Sequence, residues 1–151
     1  MTLTYRRAIE ADLPFIVRLL SDDAVRVTDD RPDEPFHPRY VAALREIDAD
    51  PNQMMMLAML AGEVVGTMQL SFIPGLAALG MKRCLVEAVH VVPAHRGKGL
   101  GTEMIRWAIE QGRERGCGLV QLTSNKKRLD AHRFYERLGF LKSHEGFKYY
   151  L

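Results

Sequence analysis

The stretch that most constrains this chain is residues 84–111, where a strand pattern, a tight turn and a helix pattern follow one another directly. The apolar strand pattern stops at Pro93, and an amphipathic helix pattern starts near Leu100. Three glycines surround this junction at alternate positions, although glycine is a poor helix former. A helix start leaves about four backbone N–H groups unpaired and carries the positive end of the dipole. Gly97, Gly99 and Gly101 therefore predict a turn at which an anion approaches the backbone closely.

The residues around this turn narrow the identity of the anion. Arg96 and Lys98 add positive charge beside the glycines. The P-loop pattern G-x-x-x-x-G-K-[ST] is absent from the sequence. The dinucleotide fingerprint G-x-G-x-x-G fails as well, because Thr102 stands where its third glycine belongs. What remains is an R-x-x-G-x-G core, which favours a pyrophosphate or a similar anion at the start of the helix.

The rest of the chain predicts a mixed sheet covered by helices. A strand hairpin in the first half favours antiparallel pairing, and alternating strands and helices in the second half favour parallel pairing. The fold class is therefore α/β, in the form of an α+β mixed sheet. Predicted strands are LTYRRA, MMMLAML, VVGTMQLSFI, CLVEAVHVV, LVQLTSN and FKYYL, and predicted helices are DLPFIVRLL, RYVAALREIDAD, residues 100–115 and LDAHRFYERLGF.

Composition limits the class of protein. The chain has 151 residues, 47% of them apolar, which fits one domain spanning 1–151. A net charge of +2 gives no electrostatic footprint for nucleic acid, and no apolar run reaches the ~18 residues that a membrane span needs. Cys84 and Cys117 have no metal-ligand spacing, and we expect no metal. The charged N-terminus does not look like an export signal, so we expect a cytoplasmic protein.

Two motifs resemble a known family. Val91 to Gly101 match V-x-P-x-x-R-G-x-G-[LI]-G, which is motif A of the GCN5-related N-acetyltransferases, the GNAT superfamily. DAHRFYERLGF is similar to motif B, A-x-x-F-Y-x-x-x-G-F, and the opening strand, first helix and hairpin extend the resemblance over nearly the whole chain. The resemblance implies a GNAT-like fold, with a central sheet of about six to seven strands flanked by about four helices. It also implies an enzyme that uses acetyl-CoA as its co-substrate.

The resemblance further implies how the donor is held. The CoA pyrophosphate would bind the backbone amides of the turn, namely those of Arg96, Gly97, Lys98, Gly99, Leu100, Gly101 and Thr102. The preceding strand would splay from its neighbour, often with a bulge, and the pantetheine arm would pair with backbone at Val89 and Val91. The amide of Val91 would then be the oxyanion donor. Many members have an asparagine seven residues before the motif B tyrosine. Arg128 stands there in this chain, so Asn125 or Arg128 is expected to make the replacing contact.

Acetyl transfer to an amine needs a base and an acid. By its place in the family, Tyr135 is expected to protonate the CoA sulfur, although a core aromatic is the alternative. Glu87 is the expected base, directly or through water, because a carboxylate amid apolar strand residues is costly unless it faces a cleft or a partner. A salt bridge to Lys82 or Arg83 is its alternative. A thiol nucleophile is disfavoured, and we expect direct attack in a ternary complex.

The acceptor is expected to be a primary amine of a small molecule. Between the first two helices six acids could attract a cationic amine or belong to a solvated loop, namely Asp22, Asp23, Asp29, Asp30, Asp33 and Glu34. His37 could touch the substrate or lie on the surface, and His132 is expected in solvent. The alternatives are a protein or peptide amine as acceptor, and a non-catalytic CoA-binding or sensor module on the same fold. A homodimer is left open.

Overall fold

The computed structural model describes residues 2–22 and 28–151. In these residues five strands form one sheet in the order β1-β2-β3-β4-β5, with β4 and β5 parallel and the other neighbours antiparallel. The strands are β1 Thr4–Arg7, β2 Gln53–Leu60, β3 Glu63–Ile73, β4 Arg83–Val91 and β5 Leu119–Gln121. The helices are α1 Leu13–Ser21, α2 Pro38–Ala49, the short α3 Ala77–Gly80, α4 Leu100–Glu114 and α5 Leu129–Arg137. No helix within these ranges is long and apolar enough to cross a membrane.

The mixed sheet and its four main helices confirm the expected fold, with one correction at the C-terminus. The predicted closing strand FKYYL does not form, and the described sheet has five strands rather than six or seven. Every residue from Leu141 to Leu151 is exposed and outside regular structure. The pattern of alternating aromatic residues expresses strand propensity, but a strand also needs a neighbour to pair with, and this segment has none within the described chain.

The sheet is buried on both faces near its centre. Alternate residues of a strand point to opposite faces, so the consecutive Met54, Met55 and Met56 of β2 are buried on two different sides. We call these sides the α4 face and the α1/α2 face. Buried residues on the α4 face include Met56, Met68, Leu70, Phe72, Val86, Met104 and Ile105. Those on the α1/α2 face are Ala8, Leu13, Ile16, Leu44, Met55 and Leu57.

A bulge interrupts β4 near its end. Gln69 of β3 lies opposite Glu87, but Thr67 lies opposite His90, so β4 contains one extra residue between these two pairs. Ala88 has a φ of 51°, which is unusual for a residue that is not glycine. The fully buried Thr67 holds the bulge, because its hydroxyl donates a 3.0 Å hydrogen bond to the carbonyl of Ala88. The bulge that the family resemblance implied is therefore confirmed.

The edge of β4 that faces β5 is paired only at its start. Its register with β5 runs from Arg83, opposite Leu119, to Leu85, opposite Gln121, where β5 ends. From Val86 to Val91 this edge of β4 has no strand beside it in the described chain. The two parallel strands therefore separate into the splay that the resemblance implied. We call the resulting opening the β4 groove.

Candidate active site

A cleft of about 380 Å³ lies where β4 ends and α4 begins. One wall is the glycine turn, and the opposite wall comes from α5. Most of the residues that the sequence assigned to the turn line this cleft. The lining residues are Val91, His95, Arg96, Gly97, Gly99, Leu100, Gly101, Thr102, Phe134 and Arg137.

The glycine turn keeps its backbone accessible from the cleft. Gly97 and Gly99 have φ values of 77° and 79°, in the left-handed region where other residues are strained. No atom lies within 4 Å of the position that a Cβ would take at either residue, so backbone conformation rather than packing calls for glycine there. Gly99 caps the N-terminus of α4, which directs unpaired N–H groups towards the cleft. Leu100 buries its side chain in the core, so only its backbone is available to a ligand.

The two positive side chains of the turn have different surroundings. The Arg96 Nε atom donates a 3.0 Å hydrogen bond to the Val91 carbonyl, and its guanidinium lies 3.6 Å from the Asp22 carboxylate. Arg96 therefore connects the turn to the end of β4, and its positive charge is partly balanced by the carboxylate of Asp22. Lys98 is exposed and does not line the cleft.

The hydrogen bond of Arg96 also reveals which way the end of β4 points. Both backbone groups of a strand residue point to the same edge of the strand. Since the Val91 carbonyl points to Arg96 while the Val92 amide bonds to Val65 in β3, the Val91 amide faces away from β3. Val89 lies two residues earlier, after the bulge, so its backbone groups point to the same edge as those of Val91. The backbone at both predicted positions thus borders the β4 groove.

The phenol of Tyr135 lies on the α5 side, among aromatic rings. The Tyr135 ring centroid is 5.1 Å from that of Phe134 and 5.7 Å from that of Phe140. Burial raises the pKa of Tyr135 above its ordinary value of 10.0, and the nearby charge of Arg128 lowers the pKa in part. The phenol therefore keeps its proton at neutral pH, as a general acid must. The ring packs against the core while the phenol keeps a proton that it could donate. The two expectations for Tyr135, a core aromatic and a general acid, therefore do not exclude each other.

Asn125 and Arg128 lie in the segment between β5 and α5, but their surroundings differ. Asn125 is exposed, and its side-chain oxygen accepts a 3.0 Å hydrogen bond from the Lys127 amide, which closes a local turn. Arg128 is half-buried at the start of α5 and acts on the pKa of Tyr135. The expectation that His132 is solvated was wrong, because this residue is half-buried and bonds through Nε2 to the Asn125 carbonyl. Of the two candidates, Arg128 is therefore the one whose charge reaches Tyr135, and neither lines the cleft.

Glu87 lies on the other side of the sheet, on the α1/α2 face, and it is exposed. Within residues 2–22 and 28–151 it has no salt bridge, so the predicted alternative of a partner at Lys82 or Arg83 is not found. Its opposite residue on β3 is Gln69.

A polar row crosses the α1/α2 face from Glu87 to the far strand. It consists of Glu87, Gln69, Ser71 and Gln53, and strand pairing puts all four side chains on this face. The hydroxyl of Ser71 donates a 2.8 Å hydrogen bond to the side-chain oxygen of Gln53, and the Gln69 amide approaches the same oxygen at 3.4 Å. Sequence reasoning missed this row, because residues on three strands come together only through the register. Hydrophobic alternation does not reveal register.

The acidic segment before α2 is largely engaged in local contacts. Asp30 accepts hydrogen bonds from the hydroxyls of Tyr40 and Thr28, at 2.8 and 2.7 Å. Asp22 pairs with Arg96 and Glu34 with Arg31, while Asp23 lies outside the described residues. The expected attraction of a cationic amine by six free carboxylates is therefore reduced.

His37 caps α2 by accepting a 3.1 Å hydrogen bond from the Arg39 amide, which is a structural role.

The two cysteines do not resemble nucleophiles. Burial raises the pKa of the Cys84 thiol to about 11, so the reactive thiolate is scarce at neutral pH. Burial also raises the pKa of Cys117. Among the residues that the structure describes, no three His, Cys, Asp or Glu side chains are grouped as a metal site would require.

Arg137 is the cleft residue that sequence reasoning missed most clearly. It follows Phe134 by three positions on α5, so both side chains reach the same side of the helix. We expect Arg137→Ala to weaken CoA binding about tenfold, the value of one charge-assisted hydrogen bond of ~1.5 kcal/mol. Arg133→Ala is the matched control, because Arg133 is on the same helix but pairs with Asp130 outside the cleft. Equal affinities for the two variants, measured by calorimetry with CoA, would remove Arg137 from the donor site.

Comparison with known proteins yields a consistent set of relatives. The model of the acetyltransferase (GNAT) family matches residues 15–140. An aminoalkylphosphonate N-acetyltransferase of Salmonella typhimurium (strain LT2) is 41% identical over 98 residues, which are 65% of this chain and 63% of that protein. A glucosamine 6-phosphate N-acetyltransferase of Trypanosoma brucei brucei is 39% identical over 84 residues, 56% of this chain and 54% of that enzyme. The chain thus spans less than two thirds of the length of these curated relatives, at 63% and 54%.

A solved structure matches over nearly the full length of both chains. The crystal structure of a transcriptional regulator from Bacillus halodurans C-125 superposes with a TM-score of 0.93 at 43% sequence identity. It covers 99% of this chain and 100% of that one. The overall fold of this chain is therefore one that has been determined by crystallography.

Proposed function

The chain belongs to the GNAT family of acetyltransferases, and from that premise we propose that it transfers the acetyl group of acetyl-CoA to a primary amine of a small molecule. The amine attacks directly in a ternary complex. Acetyl-CoA supplies the activated thioester, and the protein supplies binding, orientation and proton transfer. The observation that carries the proposal is that Val91, at the end of the unpaired edge of β4, also lines the cleft at the glycine turn.

The donor site follows from the backbone. The amides from Arg96 to Thr102 bind the pyrophosphate at the start of α4, where the helix dipole favours negative charge. Val89 and Val91 offer backbone to the pantetheine arm along the free edge of β4. The Val91 amide is then positioned to stabilise the charge that develops on the thioester oxygen. Arg137 adds a positive charge to the cleft wall.

The acid and the base approach the reaction from opposite faces of the sheet. Glu87 is on the α1/α2 face, and Tyr135 packs against the core of the α4 face. The sheet is open between β4 and β5 beyond their paired residues. An acetyl group in the β4 groove is therefore accessible from both faces of the sheet. Glu87 takes one proton from the attacking amine, directly or through water, and Tyr135 gives one proton to the departing sulfur. The proton balance of the reaction then closes without a metal.

The polar row is the proposed floor of the acceptor site. Gln69 adjoins Glu87, and Ser71 and Gln53 continue the row away from the groove. Carboxamides and a hydroxyl can hydrogen-bond both donors and acceptors, which suits an amine that carries further polar groups. The two curated relatives named above act on an aminoalkylphosphonate and a phosphorylated amino sugar, and both are small polar amines.

The decisive experiment is an acceptor screen with purified protein and saturating acetyl-CoA, with release of CoA thiol as the signal. The panel should contain aminoalkylphosphonates, amino sugar phosphates, polyamines and short peptides with a free N-terminus. A small amine that gives turnover well above background hydrolysis supports the proposal. Turnover with the peptides alone would favour a protein acceptor. CoA binding without turnover on any amine would favour the sensor alternative.

Replacement of the base gives a test of the mechanism. With the acceptor from the screen, we expect Glu87→Gln to lower kcat/KM by ~100-fold or more, as loss of a general base does. The acidic limb of the pH–rate profile should also shift, because the group that must be deprotonated is gone. Glu63→Gln is the control, since Glu63 is an exposed carboxylate at the start of β3. A profile identical to that of the wild type would assign the base to water or to the substrate.

A further inference from the structure

Arg83 begins β4 with a charged side chain that the proposed reaction does not use. It is half-buried, although a charged side chain is rarely withdrawn from water without a partner. Within residues 2–22 and 28–151 no ion pair or hydrogen bond engages this side chain. The N–H donors of its guanidinium are therefore available to a group that comes from outside the described chain.

Strand register puts Arg83 on the same face of the sheet as Glu87. The pairing of β4 with β3 runs without interruption from Arg83 to Glu87, and the bulge comes only after Glu87. Alternate residues therefore share the α1/α2 face over this stretch, whereas Cys84 and Val86 are buried on the α4 face. The four steps from Arg83 to Glu87 span about 13 Å between the two Cα atoms. The proposed base and the arginine thus lie at two ends of one strip of surface.

The strip between these ends is polar at its sides and only partly covered. Leu85 lies midway, and its neighbours across the sheet are Ser71 on β3 and Gln121 on β5. Leu119, the neighbour of Arg83 on β5, is 40% exposed. Among the described residues, the buried cluster of the α1/α2 face includes none from β4 or β5. This part of the sheet is therefore open to a small molecule that starts at Glu87 and runs along β4.

We propose that the acetyl acceptor carries an anionic oxygen group, a phosphate, phosphonate or carboxylate, which Arg83 binds while the amine lies at Glu87. The inference rests on the proposed acetyl transfer and names the substrate class of that site. A guanidinium offers parallel N–H donors that match two oxygens of such a group. Opposite charges at the two ends of the strip suit a molecule with an amine at one end and an anion at the other.

Arg83 has a defined part in this arrangement. It contacts the substrate at the end remote from the reacting amine, so its contact is the same before and during acetyl transfer. An interaction of that kind lowers KM and leaves kcat unchanged. An amine without the anion still reaches Glu87, but it leaves the guanidinium unpaired. The arginine therefore determines which amine is bound, whereas Glu87 and Tyr135 act on the chemical step.

Matched acceptor pairs test the proposal. Aminoalkylphosphonates with chains from ethyl to hexyl are compared with plain alkylamines of the same length, and ω-amino carboxylates form a second anionic series. The wild type should prefer the anionic member of a pair. Arg83→Gln should raise KM for that substrate about 10- to 100-fold, as loss of a hydrogen-bonded charge does, while kcat and the plain amine are little affected. The chain length with the largest effect measures the span of the site.

Lys82→Gln is the matched control. Lys82 is also half-buried and adjacent in sequence, but its charge acts on Cys117, which packs against the core of the α4 face. It should leave KM for both members of a pair near that of the wild type. Arg83→Lys keeps the charge without the planar fork, and it should recover part of the affinity. Circular dichroism verifies that the variants are folded. Equal KM values in the wild type, Arg83→Gln and Arg83→Lys would overturn the proposal.

Binding measured without turnover separates this inference from the proposed function. Calorimetry titrates the same phosphonates and alkylamines into protein saturated with CoA. If no amine is acetylated, but a phosphonate binds and Arg83→Gln abolishes its binding, acetyl transfer is wrong and the anion site stands. If amines are acetylated with no preference for the anionic member and no dependence on Arg83, acetyl transfer stands and the anion site is wrong. Phosphonates and carboxylates that neither bind nor react through Arg83 overturn the anion site in either case.

Discussion

Tyr135→Phe is expected to lower kcat by about 100- to 10,000-fold, the range that a general acid contributes, while CoA affinity changes little. The substitution removes one hydroxyl and keeps the ring that contacts Phe134 and Phe140. The packing of α5 should therefore survive, and only protonation of the departing sulfur is lost. Steady-state kinetics with the acceptor from the screen, together with calorimetry for CoA, separates the two effects. A variant with an unaltered rate would exclude Tyr135 as the acid.

The pH dependence gives a second signature of this role. A raised pKa means that the phenol loses its proton only above the ordinary tyrosine value of 10.0. The wild-type rate should therefore show no loss from Tyr135 ionisation below pH 10. The control is Tyr5→Phe. Burial and the charge of Glu103 raise the pKa of Tyr5 to about 12, but its ring stacks on Trp107 outside the cleft. Tyr5→Phe should leave kcat near that of the wild type.

Gly99→Glu is expected to abolish measurable CoA binding. The new carboxylate would project into open space at the glycine turn, where the phosphates are proposed to bind. A carboxylate ~4 Å from one phosphate charge costs about 4 kcal/mol near a protein surface. That energy corresponds to a loss of affinity of ~1,000-fold. Calorimetry with CoA measures it, and an affinity equal to that of the wild type would refute the anion site.

Gly116→Glu provides the control for backbone strain. Gly116 has a φ of 74° and open space around its Cβ position, much like Gly99, but it lies past the opposite end of α4. A carboxylate near a helix C-terminus opposes the dipole, whereas near the N-terminus it is favourable. Gly116→Glu should therefore lower the melting temperature at least as much as Gly99→Glu while CoA still binds. The comparison separates loss of the site from loss of stability.

Local pattern was sufficient for the parts of this molecule that depend on neighbours in sequence. The glycine turn, the helix after it and the hairpin of β2 and β3 all depend on residues a few positions apart, and all were predicted. The separation of β4 and β5 and the bulge at Ala88 came from the resemblance to a family. Alanine gives no local signal for a φ of 51°, and the hydrogen bond that accompanies this conformation comes from Thr67 on the neighbouring strand β3.

Features that depend on distant residues were missed or misjudged. Glu87 is surrounded by apolar residues in sequence, which favoured a carboxylate that faces a cleft or a partner, but only the register puts its side chain on the exposed part of the α1/α2 face. Arg137 reaches the cleft only because α5 packs beside the glycine turn. Residues 147–151 carry strand propensity, yet they pair with no strand of the described chain. Pairing partners, and the faces they expose, are tertiary information.

The bulge in β4 also sets which face of the sheet each residue takes between Glu87, the proposed base, and the glycine turn. Three positions separate Glu87 from His90, yet their opposite residues on β3, Gln69 and Thr67, are only two positions apart. Deleting Ala88 would restore strict alternation along β4. The side chains on one side of the deletion would then point to the opposite face of the sheet from the one they occupy now. If Glu87 stayed on the α1/α2 face, the residues that lead into the glycine turn would be inverted, and the reverse also holds. The length of this strand segment is therefore as much a determinant of the site as its side chains, and a one-residue deletion there should be more damaging than most substitutions.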